Sequence, residues 1–164
     1  MTRGARCLIA ATLALAAAPA VAGPNPVYTP VPGSAERTAI VKTLHGGDDD
    51  PQLRFTFKQF RVVHDGQRAI AYVEGDGAVG GFQSILTRDG KAAWRNVWGE
   101  GDGGSNSCVV GARHYAWAVR LITSYHVAPD ALFPGIAARA RELKRMAKTD
   151  PELQCVGDLD GGER

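Results

Sequence analysis

From Leu53 onward apolar and polar residues alternate: Leu53, Phe55 and Phe57 are separated by Arg54, Thr56 and Lys58. A period of two predicts a half-buried strand. Phe60 and Val62 then continue the apolar set on the other count. A bulge near Lys58-Gln59 would return both sets to one face. His64-Asp65-Gly66-Gln67 reads as a hairpin turn, and residues 68–74 as an apolar return strand. Residues 75–81 are a Gly-rich loop in this reading, 82–87 a strand, Arg88 to Lys91 a turn with an Asp-Gly step, and 92–98 the last strand. Four strands joined in sequence by short turns predict an antiparallel meander.

The flanks carry a helical period instead. Ser34 is an expected N-cap with Glu36 in the first turn, and 35–44 a helix with Ile40, Val41 and Leu44 on one side. Residues 99–107 read as polar and flexible. A helix is predicted over roughly 110–125, with Ala112, Tyr115, Ala116, Val119 and Ile122 available for one face. Val127 to Asp130 breaks it, and Asp130 could cap a short turn through Phe133. A second helix follows over 135–148 and stops at Thr149-Asp150-Pro151. The expected fold class is therefore α+β: an N-terminal helix packed on a curved four-stranded antiparallel sheet, followed by two C-terminal helices.

The first 22 residues are a different material. Arg3 and Arg6 precede an apolar run from Cys7 to Val21 that exits through Ala20-Val21-Ala22. Such a segment reads as a secretory signal peptide, the alternative being a retained anchor. Residues 23–33 are then an extended Pro-rich leader, 34–156 a single domain with a helical extension, and 157–164 a polar tail. No second apolar run of membrane-spanning length follows, so no integral membrane segment is expected after cleavage. The expected location is periplasmic or secreted.

Cleavage changes the charge. Arg3 and Arg6 are two of 19 basic residues, leaving 17 against 17 acids. A formally neutral domain gives no electrostatic reason to bind nucleic acid. Cleavage also leaves two cysteines, Cys108 and Cys155. In an oxidising compartment such a pair is expected to bridge. Closing about 48 residues is worth about 4 kcal/mol on chain entropy. The alternative, a redox pair, lacks a Cys-x-x-Cys spacing.

The residues Pro32-Gly33-Ser34, Ile40 to Leu44, Phe60-Arg61-Val62, Tyr72-Val73, Ile85-Leu86 and Trp94-Arg95-Asn96-Val97 form a recurrent series of core positions and turns. From Pro32 to Trp98 the chain resembles small exported bacterial proteins with a cystatin-like, nuclear-transport-factor-two-like α+β fold. The resemblance implies a helix wrapped by a sheet, and it carries over no catalytic residue. The region after Trp98, with its helices and cysteine pair, departs from that pattern.

Catalytic signatures are scarce. His45, His64, His114 and His126 show no metal-ligand spacing, and a general base among them stays open. The acidic groups Asp48 to Asp50, Glu100 with Asp102, and Asp158 with Asp160 lack the calcium ladder and read as solvated loops. No phosphate loop or nucleophile elbow occurs, so no cofactor and no metal is expected. Trp94, Trp98, Trp117 and Tyr72 are either core residues or the lining of a pocket or partner face. Arg139, Arg141, Lys144, Arg145 and Lys148 form a basic helix face, either solvated or facing an acidic partner.

The expected function is that of an exported, non-catalytic protein. It would bind a protein partner, of inhibitor or immunity type, or a small ligand through a concave sheet face. The alternative is a small cone-fold enzyme of isomerase or hydratase type, which would need an inward acid or base.

Overall fold

The computed structural model describes residues 25–46 and 54–162. The expected signal peptide and the Asp48 to Asp50 run lie outside them. In chain order the elements are α1 (Ala35–Leu44), β1 (Thr56–Asp65), β2 (Arg68–Gly77), β3 (Gly80–Asp89), β4 (Arg95–Ser107), α2 (Cys108–Thr123), α3 (Pro129–Leu132), α4 (Ile136–Thr149) and β5 (Gln154–Gly161). The strands form one open antiparallel sheet in the order β1-β2-β3-β4-β5. The class is α+β, with five strands and four helices.

Local chemistry accounts for the first half. Ser34 caps α1, its hydroxyl accepting the Arg37 N–H at 3.3 Å. The β1–β2 register slips between Phe57 and Gln59, so Phe57, Phe60 and Val62 pack against one face of the sheet. The leader's Tyr28 pairs with Val62 through two backbone bonds of 2.8 and 3.0 Å. It thereby covers part of an edge that would otherwise offer unpaired amides.

The sheet is buried on both faces. Ile40 of α1 packs with Phe60, Val62, Ala69, Ala71, Val73, Leu86 and Trp94. On the other face Val63, Ile70, Tyr72, Ile85 and Trp98 meet Tyr115, Ala118 and Ile122 of α2, Leu132 and Phe133, and Ile136 and Leu143 of α4. Interior strand β2 has no solvent face over Ala69–Val73, which explains its unbroken apolar run.

Five expectations need correction. The Gly-rich stretch 75–81 is not a loop, because β2 and β3 continue through it to a turn at Ala78-Val79. A β-carbon on Gly75 would overlap the Thr56 carbonyl, so that glycine marks a close backbone approach. Residues 99–107 belong to β4, and most of the expected polar tail is β5. The sheet therefore has five strands. These two segments are polar because they pair at an edge, and each finds its partner across a long stretch of chain. The helices also do not simply follow the sheet: α2, α3 and α4 lie between β4 and β5 and cover its second face. Asp130 does not cap the short turn that contains it: Ala128 is the N-cap of α3, and the Asp130 carboxylate instead accepts the Ala137 N–H in the first turn of α4 at 3.1 Å.

No helix among the described residues is long and apolar enough to cross a membrane. Cys108, at the start of α2, and Cys155, at the start of β5, sit at disulfide distance with Cα atoms 4.9 Å apart. Such a pair is compatible with an oxidising compartment.

Candidate functional site

Antiparallel register builds a polar row across the sheet. Gln59 pairs with Glu74, Glu74 with Gln83, and Gln83 with Glu100. Glu74, Gln83 and Glu100 each lie two residues from a core position on the same face: Tyr72 before Glu74, Ile85 after Gln83, Trp98 before Glu100. The apolar core under the helices therefore ends in two carboxylates flanking an amide. Two strand spacings put Glu74 and Glu100 roughly 10 Å apart at Cα.

The row is the floor of a cleft of about 310 Å³, with Tyr115 of α2 and Arg139 of α4 as its helical wall and Lys58 and Asp102 also lining it. Its carboxylates are held by uncharged donors. The Tyr72 hydroxyl donates to Glu74 at 3.0 Å, and the Tyr115 hydroxyl to Glu100 at 2.5 Å. The Gly157 N–H donates to the second Glu100 oxygen at 3.2 Å, and the Gly81 N–H to Asp102 at 2.6 Å. The two cations of the cleft bond elsewhere. Lys58 pairs with Asp76 at 2.8 Å, while Arg139 donates to Glu142 at 3.0 Å and to the Cys155 carbonyl at 2.7 Å. Among the described residues, then, none of Glu74, Glu100 and Asp102 has an ion-pair partner.

Burial, reinforced by the adjoining carboxylates, pushes the Tyr72 and Tyr115 hydroxyls well above the ordinary phenol range. Arg139 opposes the shift at Tyr115 without cancelling it. Both phenols therefore stay protonated and keep donating, which leaves the carboxylates fixed in position as acceptors.

The aromatic face expected from Tyr72, Trp94, Trp98 and Trp117 is not one surface. Trp94 is buried on the α1 side under the Arg88 guanidinium, 4.9 Å from its ring centre. Trp98 is fully buried on the other side, stacked on His114 with centroids 4.8 Å apart, and its Nε1 donates to the His114 carbonyl at 3.1 Å. Trp117 packs at the margin of that same core. Tyr72 stacks on Phe133 at 4.0 Å, and only its hydroxyl reaches toward the polar row.

The histidines are dispersed. His45 abuts Phe55, His64 lies 3.0 Å from Glu36, and His126 lies 3.2 Å from Asp65. His114 is fully enclosed with Nε2 3.0 Å from the Gly99 carbonyl. Among the described residues no group of three His, Cys, Asp or Glu side chains could hold a metal ion.

Sequence reasoning missed Gln83 altogether and read Glu100 and Asp102 as part of a solvated loop. The usable signal was the two-residue step that links Tyr72 to Glu74 and Trp98 to Glu100. In comparisons with known proteins the chain matches no family model, no curated protein and no solved structure. The likeness to cystatin-like and nuclear-transport-factor-two-like proteins accordingly rests on the residue pattern alone.

Proposed function

We propose that this is an exported, non-catalytic binding protein whose polar cleft receives a basic side chain presented by a protein partner. One observation carries the reading: Glu74, Glu100 and Asp102 line one cleft, and among the described residues none of them forms an ion pair, because the cleft's own cations, Lys58 and Arg139, are bonded to Asp76 and to Glu142 and the Cys155 carbonyl. Carboxylates already aimed by hydroxyl and amide donors lose little freedom when a guanidinium or ammonium arrives. Helices cover both sheet faces, so a partner would engage this cleft at the end of the sheet instead of a broad concave face.

The isomerase or hydratase alternative would draw on the same carboxylates. What weighs against it is that the phenols beside the carboxylates hold their protons and donate them to Glu74 and Glu100, so neither is free to act as a base. A general base needs an accessible lone pair and a matched pKa.

The test is nuclear magnetic resonance titration with N-acetyl-arginine methylamide and its neutral isostere, the citrulline derivative. The arginine probe should shift the amides of Glu74, Gln83, Glu100 and Gly157 saturably, and Glu74→Gln should weaken that response about tenfold. Equal responses to both probes, or none to either, would refute the proposal.

A further inference from the structure

Charge is not evenly spread over the fold. Residues 108–149, which form the helical layer, contain seven Lys or Arg against two acids, Asp130 and Glu142. That layer carries +5 within a trimmed chain that is formally neutral. The outer side of the α2–α4 pair holds a groove of about 640 Å³. Its floor is small, Ala112 and Ala116 from α2 and Ala137 and Ala140 from α4, and its rim is basic, Arg113 and Arg120 facing Arg141 and Lys144.

The side chains of Arg113, Arg141 and Lys144 have no ion-pair or hydrogen-bond partner among the described residues. By contrast, the buried side of α4 is satisfied, with Arg139 engaged by Glu142 and Cys155. The disulfide-distance contact joins the start of α2 to the residues after α4, so the two helices run antiparallel. They enclose the groove along Ala112 to Arg120, a rise of about 12 Å, or two helical turns.

We infer that this groove docks an amphipathic helix of a protein partner, with small apolar residues on its inner face and Asp or Glu along both flanks. Alanines let a third backbone approach closely, and four cations at the edges fix its charge pattern. A lipid surface fits less well: among the described residues the large exposed apolar side chains are Tyr28, Val31, Val79 and Leu153, none of them on α2 or α4. An interfacial helix needs such residues to insert. The site is separate from the acidic cleft and would bind whether or not the cleft does.

The test uses the chain from residue 23 onward, without the expected signal peptide, and a fluorescent amphipathic helical peptide of about four turns, Ala-lined and Glu-flanked. Anisotropy should report saturable binding that weakens with salt. Arg113→Glu with Arg141→Glu and Lys144→Glu should weaken it at least about tenfold with an unchanged circular dichroism spectrum. Filling the floor with Ala116→Trp should also abolish it. The inference is overturned if a Lys-flanked peptide binds equally well, if the charge variant binds unchanged, or if the Glu-flanked peptide does not bind. It is also overturned if phosphatidylglycerol vesicles or a second copy of the chain occupy the groove in its place.

Discussion

Tyr115 donates its hydroxyl proton to Glu100 across 2.5 Å, and that single bond ties α2 to β4 at the boundary between core and cleft. Tyr115→Phe removes the donor and leaves a half-buried carboxylate under-satisfied. A loss of about 1–3 kcal/mol is expected. Urea unfolding should show a lower midpoint with an unchanged slope. An unshifted midpoint would mean that the bond contributes nothing to stability.

The same phenol sets an alkaline limit. Its folded pKa lies above the unfolded value of about 10. The stabilisation is therefore complete below that value and is lost as pH rises toward the folded one, because the unfolded chain ionises first. Tyr72 acts in the same direction. Thermal melts should fall as pH climbs above about 10, and Tyr115→Phe should flatten that decline.

At the acid end the relevant group is Asp65. Its carboxylate accepts from Arg68, lies 3.2 Å from His126 Nδ1 and accepts from Asn25 at 3.2 Å. The Arg68 bond, with help from His126, holds its pKa below the ordinary carboxylate value. Stability from this group is present above the unfolded pKa and disappears as pH falls through the folded one. Melting temperatures of the wild type and Asp65→Asn should differ at neutral pH and converge as pH falls below the ordinary carboxylate range. Parallel curves would show that Asp65 does not contribute through its charge.

Cys108 and Cys155 clamp β5 to the start of α2. Replacing both by Ala should cost about 2–5 kcal/mol. The effect should be uneven, because β5 is an edge strand held on one side by β4. Amide exchange at Val156–Gly161 should rise more than at Ile70–Val73. Uniform acceleration would argue that β5 does not open separately.

Gly157 lies where a β-carbon would overlap the Gly101 carbonyl. There β4 arches outward between Gly101 and Asn106, and the Asn106 amide donates to the Gly157 carbonyl at 2.6 Å. Gly157→Ala should therefore break the β4–β5 ladder and lower stability by at least about 2 kcal/mol. A variant with native melting temperature would show that the two strands can spread at no cost.

Sequence periodicity was enough for α1 with its Ser34 cap, for the β1 bulge that reunites Phe57 with Phe60, and for the antiparallel order of the first four strands. These features depend on side-chain spacing and turn residues within about ten positions of each other, and local sterics decide them. The extent of β4 and the existence of β5 were not legible. Gly101, Gly103, Gly104, Asp158 and Asp160 have the composition of a loop, and only pairing with a segment some 50 residues distant turns them into strand.

The cleft depends on the same long-range step. Glu74, Gln83 and Glu100 share a row because three strands align in register, and Tyr115 and Arg139 join them because α2 and α4 fold back over that row. The sequence by itself determined which residues are apolar and where most of the local turns fall. Tertiary structure alone decided which polar groups face one another, since hydrogen bonds between residues far apart in the chain leave no period for a linear pattern to record.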